Sequence, residues 1–182
     1  MPLLKSYLHH IPRIAPDVFL AENAVVIGEV SIGAQSNIWY NVVIRGDVGA
    51  ISIGERTNVQ DGVMVHCTIN KSQTRIGNDV IVGHHAVLHG CTIEDEVLIG
   101  MNAVVLDLAV VQRHVIVAAG AVVPEGMVLE SGWLYAGVPV KKIKPLSAEQ
   151  IGWIKQSAIN YLRYTDNHRQ SRVLSREETM PH

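Results

Sequence analysis

Residues 76–105 read IGNDVIVGHHAVLHGCTIEDEVLIGMNAVV, and an apolar residue recurs within them about every six positions. The recurring residues are Ile76, Val82, Leu88, Ile93, Ile99 and Val105. This period fits neither an α-helix nor one flat strand, but it fits a short strand followed by a turn. Three such repeats form a triangular coil, and stacked coils bury the periodic residues along a common axis. The stretch therefore predicts an all-β solenoid, a parallel β-helix of hexapeptide repeats.

The same spacing continues on both sides of this stretch and predicts about six coils. Val and Ile dominate the repeat, and Gly and Asn punctuate it, which favours strands and turns over helices. We therefore assign residues 1–140 to one β-helix domain. The further periodic positions are Ile14, Leu20, Val26, Ile32, Ile38, Ile44, Ile53, Val59, Val65, Val111, Val117, Val123 and Leu129.

The C-terminal part of the chain lacks the period. Ser147 and Gln150 form a capping-box pattern that opens a helix, which we expect to reach about Tyr164 and to pack along the outside of the prism. Residues 141–165 are thus a connector and a helix. Residues 166–182 are polar and aperiodic, which predicts a flexible tail.

Composition narrows the function classes. The 182 residues are 48% apolar, enough for one continuous core, and the net charge of −2 without a basic run gives no case for nucleic acid. Residues 1–16 contain charges and prolines, so neither a signal core nor a membrane span is expected, and a cytoplasmic location is the default. Cys67 and Cys91 are expected to be reduced. Each cysteine is close in sequence to a histidine, so a role as a metal ligand or nucleophile is one interpretation. A buried, inert thiol is the more common one.

Register counting brings two histidines together. Three repeats separate residues on the same side of successive coils, so Ile44, Val65 and Leu88 share one side, with coils about 4.8 Å apart. Two imidazoles one coil apart can converge on a metal ion. The residues that directly follow the three apolar positions form one outward column: Arg45, His66 and His89.

A third histidine, His84, falls on the adjacent side of the prism and cannot reach the same ion within one chain. In a three-fold assembly, one side faces a neighbour's other side, so His84 would complete the site from another subunit. Asp61 occupies the same column position one coil below and would then meet Arg45 as an opposite charge. The sequence therefore predicts a homotrimer with a shared metal site, with His85 as the rival ligand.

The motifs that carry these residues resemble those of the gamma-class carbonic anhydrases and their short bacterial homologues of the YrdA type. The likeness covers most of the chain, and the histidine constellation is its specific part. The motifs are Arg45-Gly46-Asp47, Asn58-Val59-Gln60-Asp61-Gly62, His66, Gly83-His84, His89-Gly90-Cys91 and Ala136-Gly137-Val138-Pro139.

The resemblance implies a left-handed β-helix, a trimer and reversible hydration of carbon dioxide to bicarbonate by metal-bound hydroxide. It further implies the following roles: His66, His84 and His89 bind zinc, or iron or cobalt; Gln60 orients water or bicarbonate; Asn58 and Tyr161 line the pocket; Arg45 and Asp61 bridge subunits; and Asp47 supports the site. The chain departs from the archetype at Val48 and in the loop 68–73, which both lack a carboxylate. This predicts slow proton transfer to buffer.

Two other functions fit the same residues. A coenzyme A thioesterase or hexapeptide acyltransferase would use the fold for acyl carriers, although a histidine bound to metal cannot also serve as a free base. A non-catalytic trimeric scaffold would use the metal for assembly only. A purely structural metal site would be closed by a fourth protein ligand. The sequence instead keeps the polar residues Asn58 and Gln60 beside the expected ion, which disfavours the scaffold.

Overall fold

In the computed structural model, which describes residues 1–175 and 177–179, the chain forms a parallel β-solenoid of about seven turns with a C-terminal α-helix. The predicted fold class is confirmed. Most strands are only two or three residues long, as the short repeat requires. In chain order the elements are β1 (Leu3–Lys5), β2 (Arg13–Ile14), β3 (Phe19–Leu20), β4 (Val25–Ile32), β5 (Asn37–Ile38), β6 (Val43–Ile53), β7 (Asn58–Val59), β8 (Met64–His66), β9 (Thr74–Ile76), β10 (Ile81–Val82), β11 (Val87–His89), β12 (Thr92–Ile93), β13 (Leu98–Ile99), β14 (Val104–Val105), β15 (Val110–Val111), β16 (Ile116–Val117), β17 (Val122–Val123), β18 (Val128–Leu129), β19 (Trp133–Ala136), β20 (Lys141–Pro145), α1 (Ala148–Gln170) and a 3₁₀ turn (Glu177–Thr179).

Parallel ladders stack these strands into three faces of a prism. Face 1 contains β1, β8, β11, β14 and β17, and face 2 contains β2, β9, β12, β15 and β18. The long strands β4 and β6 run through the corner between these faces and contribute to both. Face 3 contains β3, β5, β7, β10, β13, β16 and β19, and β20 closes it as an antiparallel strand.

The periodic residues point inward and form the core. All of them are buried except Ile14 and Leu20, which are partly buried near the open N-terminal end of the solenoid. Leu4 pairs with Val26 and Tyr135 pairs with Val117, so the stack extends by one position at each end. This extension explains why about seven turns form where the repeat count predicts six.

The outward residues differ from face to face. Face 3 carries α1, which contacts β5 and β10. Face 1 carries an apolar ladder, in which every residue is the register partner of the next and is exposed or partly exposed. The residues of this face 1 ladder are Leu3, Val25, Val43, Met64, Val87, Val104 and Val122.

Helix α1 begins as predicted but ends later. The Ser147 hydroxyl accepts from the Gln150 N–H, and the Gln150 side chain accepts from the Ser147 N–H, which completes the capping box. The helix reaches Gln170 rather than Tyr164. The extension is held by tertiary contacts: Thr165 is buried, and His168 packs among aromatic rings that include Trp39. Polar residues make these contacts, so the spacing of apolar residues in the sequence did not predict the longer helix.

The predicted segment boundaries shift accordingly. Strand β20 pairs with β19, so the sheet extends five residues into the segment assigned to the connector. The predicted tail 166–182 begins inside α1, and residues 171–175 then follow without regular structure. Residues 176 and 180–182 lie outside the described part of the chain. Across the described residues, we find no helix with the length and hydropathy needed to cross a bilayer.

Candidate metal centre and its neighbours

His66 and His89 lie side by side on face 1. They are register partners on β8 and β11, and the Nδ1 atom of His66 lies 3.3 Å from the Nε2 atom of His89. In a tetrahedral zinc site with bonds of 2.0–2.1 Å, two ligand nitrogens lie about 3.3 Å apart. The pair therefore has the spacing of two ligands of one ion, without any change of backbone.

Carboxylates hold the outer nitrogens of the two rings. Asp47 Oδ1 lies 3.0 Å from His66 Nε2, and Asp107 Oδ2 lies 3.0 Å from His89 Nδ1. An imidazole that donates its outer N–H to a carboxylate carries a lone pair on its other nitrogen. Two lone pairs then face each other, and a cation between them satisfies both. Carboxylate–histidine–metal arrangements of this kind are common in metal sites, so these residues fit a divalent ion.

Both carboxylates are held in their charged form. Burial raises the pKa of Asp47, but hydrogen bonds from Arg45 and His66 outweigh it and leave the pKa below its ordinary value. The same balance lowers the pKa of Asp107, where the hydrogen bonds come from Ser72 and then His89. The Arg45 Nη1 atom lies 2.5 Å from Asp47 Oδ2, and Ser72 Oγ lies 2.5 Å from Asp107 Oδ1. Each imidazole thus has an ionised partner at neutral pH.

Sequence reasoning did not identify Asp107 or Ser72. Asp107 comes two residues after Val105, the register partner of Leu88, so the same counting places Leu106, and not Asp107, in the column of His89. Ser72 belongs to the irregular loop between β8 and β9, which carries no repeat signal. Gly90 makes room for this contact: it has a positive φ of 64°, and a Cβ there would overlap both Asp107 Oδ1 and Ser72 Oγ.

His84 lies away from the pair, in the turn that follows β10 of face 3. Its Nδ1 atom is 3.0 Å from Asp61 Oδ2, and its side chain is 42% exposed. Within one chain, Asp61 therefore contacts His84, while Arg45 contacts Asp47. In the part of the chain that the structure describes, no cluster of three or more His, Cys, Asp or Glu side chains could hold a metal ion.

His85, the rival ligand, has a positive φ of 58°, and its ring packs against Gly62. Its backbone N–H donates to the Asp61 carbonyl oxygen. The left-handed backbone at His85 turns the corner of the coil. The structure thus gives His85 a contact within its own corner and none with the His66–His89 pair.

Asn58, Gln60 and Tyr161 form a second cluster, on face 3 beneath α1. The Gln60 Nε2 atom donates to Asn58 Oδ1 at 2.9 Å and to the Tyr161 hydroxyl oxygen at 2.7 Å. Burial, followed by the negative charge of Asp61, raises the pKa of Tyr161, so its phenol stays protonated at neutral pH. The predicted site residues of one chain therefore fall into three groups: the His66–His89 pair with Asp47 and Arg45, the His84–Asp61 pair, and this cluster beneath α1.

The two cysteines lie beside the first cluster as buried, free thiols. Burial is the main cause that raises the thiol pKa at both positions, to about 12 at Cys91. At Cys67 the charges of Asp47 and Asp107 raise the pKa further. A nucleophile or metal ligand would need the thiolate, so the structure supports the inert role for both residues.

Comparison with known proteins shows clear relatives, although no family model matches the chain. It is 45% identical over 162 residues to "Gamma carbonic anhydrase 2, mitochondrial" of Arabidopsis thaliana, an alignment that covers 86% of this chain. It is 42% identical over 153 residues to the "Probable carbonic anhydrase" of Methanocaldococcus jannaschii, which covers 84% of this chain and 96% of that protein. The chain belongs to the gamma-class carbonic anhydrase family.

Within the family, the chain is 45% identical over 172 residues to protein YrdA of Escherichia coli strain K12, which covers 91% of this chain and 94% of YrdA. The chain spans only 58% of the length of the plant protein. Among solved structures, a hexapeptide transferase family protein from Anaplasma phagocytophilum superposes with a TM-score of 0.87 and 38% identity. That match covers 91% of this chain and 97% of the other chain.

Proposed function

We propose that the protein catalyses the reversible hydration of carbon dioxide to bicarbonate, with a divalent metal ion held between subunits of a homotrimer. The observation that carries this proposal is the His66–His89 pair, whose facing nitrogens are 3.3 Å apart while carboxylates occupy the outer nitrogens. Family membership supports the reaction class. Zinc is the expected ion, and imidazole ligands also suit iron or cobalt.

His66 and His89 of one subunit and His84 of the next would hold the ion. His84 uses Nδ1 for its contact with Asp61, so Nε2 is the atom left for a metal. Three imidazoles leave a coordination position open, which a catalytic site needs and a structural site lacks. When bound, the ion supplies a Lewis acid that lowers the pKa of water toward 7, so that a hydroxide nucleophile exists at neutral pH.

The face 1 ladder supports the trimer. It presents an uninterrupted apolar row on the same face as His66 and His89, and such a row in a water-exposed position marks an interaction surface. A neighbour packed there would cover the ladder and bring a second subunit to the imidazole pair. Arg45 and Asp61 are the charged pair expected to cross this interface, in addition to the contacts that each makes within its own chain.

The remaining residues would orient the reactants. Both N–H groups of Gln60 are occupied, so Gln60 offers Oε1, which accepts a hydrogen bond from the attacking water and fixes its orientation. Tyr161 offers an O–H that donates to an oxygen of carbon dioxide or bicarbonate. A C–O bond forms, and the proton released from water passes to buffer. Neither Val48 nor the loop 68–73 supplies a carboxylate for that transfer, so buffer should limit the rate.

Stopped-flow hydration of carbon dioxide tests this proposal, on protein reconstituted with zinc and, under anaerobic conditions, with iron. We expect metal-dependent hydration whose rate rises with buffer concentration. Gln60→Ala should retain the metal and lose on the order of ten-fold or more in kcat/KM, because an orienting hydrogen bond is removed from the hydration step, whereas kcat reports proton transfer to buffer. His85→Ala is the matched control and should leave metal content and rate unchanged. Full metal occupancy without hydration would contradict the proposal.

Hydrolysis of a thioester is the second candidate. The similarity to a hexapeptide transferase family protein favours it, because an activated water could also attack a thioester carbonyl. Release of free thiol from acetyl-coenzyme A, measured on the same metal-loaded samples, separates the two candidates. Thiol release without hydration of carbon dioxide would support the second, and neither activity at full occupancy would support a metal-stabilised scaffold.

A further inference from the structure

A line of hydrogen-bonded side chains leads from the interior of face 3 to Gln60. The Trp39 indole Nε1–H donates to Asn37 Oδ1 at 2.8 Å, and the Asn58 side-chain amide also donates to Asn37 Oδ1. Asn58 Oδ1 in turn accepts from Gln60 Nε2. All four side chains belong to buried residues, so water does not compete for these groups. We call this line the amide relay.

The chemistry of the indole fixes the direction of the amide relay. An amide can turn by 180° and exchange its oxygen for its nitrogen, but an indole N–H can only donate. A turned Asn37 would place its NH₂ against the Trp39 N–H, donor against donor. Asn37 must therefore present its oxygen, and the same oxygen then requires the nitrogen of Asn58. Asn58 consequently presents its own oxygen to Gln60.

An unsatisfied atom shows how strongly this direction is held. Asn37 is fully buried, and its Nδ2 atom is the one buried side-chain polar atom without a hydrogen-bond partner in the described part of the chain. Leaving such a donor unpaired is unfavourable, because it loses its hydrogen bonds to water and gains none in the protein. Turning Asn37 would not remove this cost, because its NH₂ group would then face the Trp39 N–H, and neither group can accept a hydrogen bond. The amide therefore stays in the orientation that Trp39 demands.

We propose that Trp39 and Asn37 are positioning residues that decide which atoms the reaction site receives from Gln60 and Tyr161. Through the amide relay, Gln60 must donate to Asn58 and to the Tyr161 oxygen, which leaves Oε1 as its acceptor. Because the Tyr161 oxygen accepts from Gln60, the Tyr161 O–H is left to donate. One acceptor beside one donor matches a water that attacks and a carbonyl oxygen that gains charge. This inference rests on the proposed hydration of carbon dioxide.

The indole also packs against other rings, so a test must separate its N–H from its bulk. Its ring centroid lies 5.3 Å from Phe19, 5.7 Å from Tyr161 and 4.8 Å from His168. Trp39→Phe keeps an aromatic ring and removes the N–H. Trp153→Phe makes the same chemical change on α1, where the side chain is 56% exposed, and serves as the control.

The primary readout is the side-chain amide of Gln60 in zinc-loaded protein labelled with ¹⁵N-glutamine, assigned by its disappearance in Gln60→Ala. We expect one pair of amide proton signals in the original protein and in Trp153→Phe. Trp39→Phe should split or broaden this pair, because both orientations of the amide relay become allowed. Its kcat/KM for hydration should fall about ten-fold at unchanged metal content, the lower end of the loss seen when a partner that holds a metal-site group in place is removed.

A second pair of variants tests the relay without touching the aromatic cluster. Asn37→Asp keeps an oxygen acceptor for Trp39 and Asn58, so it should preserve the Gln60 signals and kcat/KM. Asn37→Leu removes the acceptor and should reproduce the effects of Trp39→Phe. Asn37→Leu with a single, unshifted Gln60 amide pair and unchanged kcat/KM would overturn the inference. If the original protein hydrates no carbon dioxide, the proposed function fails, while the amide signals still test the relay by themselves.

Discussion

Faces 1 and 2 of the solenoid share two strands, β4 and β6, yet they carry different outward residues. Inward, both faces present the same kind of residue, such as Ile44 on face 1 and Ile53 on face 2, and both are buried. Outward, face 1 carries its apolar ladder, whereas the register partners on face 2 are mostly polar or charged. The face 2 residues are Arg13, Ser31, Ser52, Arg75, Thr92, Val110 and Val128.

The difference separates what the repeat determines from what it leaves free. Every coil needs an apolar residue at the inward position, so the core cannot distinguish one face from another. The outward positions are not constrained by the core, and they carry the information about partners and chemistry. Face 1 combines an apolar row with two imidazoles and their carboxylates, which is the combination expected of an interface that also holds a metal.

The largest effect should come from a charge placed on the face 1 ladder. Met64→Glu would bury a carboxylate at the proposed interface, which is strongly unfavourable without a partner. We expect analytical ultracentrifugation to show dissociated subunits, with loss of bound metal. Ser52→Glu places the same side chain on face 2 and should leave the proposed trimer intact. Trimeric, metal-loaded Met64→Glu would show that face 1 is not the interface.

The cores of the two faces should respond alike. Ile44→Ala and Ile53→Ala shorten inward side chains of the same strand, β6, and each should lower the free energy of unfolding by about 2–5 kcal/mol. Chemical denaturation of metal-free protein measures both. Values that agree within about 1 kcal/mol would confirm that only the outward residues distinguish the faces. A much larger loss at Ile44 would mean that the core also contributes to the difference.

A smaller effect is expected at Asp107, the carboxylate beside His89 in the proposed metal site. Asp107→Ala removes the acceptor for His89 Nδ1 and should weaken metal binding about 10- to 100-fold, the usual cost of losing the partner of a ligand histidine. Competition with a chelator measures the affinity. Glu125→Ala removes an exposed carboxylate that pairs with Lys71 and is the control. Unchanged affinity in Asp107→Ala would exclude a supporting role.

The sequence predicted those features that follow from counting. Because the hexapeptide period converts sequence distance into register, it correctly placed Val65 beside Leu88 and thus His66 beside His89. The same counting applied to Val105 reaches Leu106, so it does not point to Asp107. Counting also stacked Asp61 with His84 correctly, since each comes two residues after one member of the register pair Val59 and Val82.

The features that escaped prediction depend on contacts between distant parts of the chain. Ser72 reaches Asp107 from an irregular loop, and the end of α1 is held by His168 among rings of the solenoid. The relay from Trp39 through Asn37 depends on the orientation of side-chain amides, which no periodic pattern encodes. These contacts appear only when the coils and the helix are packed together.

Subunit mixing tests the central claim, a metal site shared between chains, most directly. One variant carries His84→Ala, and the other carries both His66→Ala and His89→Ala, so neither alone should bind metal tightly or hydrate carbon dioxide. When equal amounts are unfolded together and refolded, a shared site predicts that about one site in four becomes complete, with metal content and hydration recovered to match. If the mixture recovers neither metal nor activity although mixed trimers form, the site does not join His84 to the His66–His89 pair of another subunit.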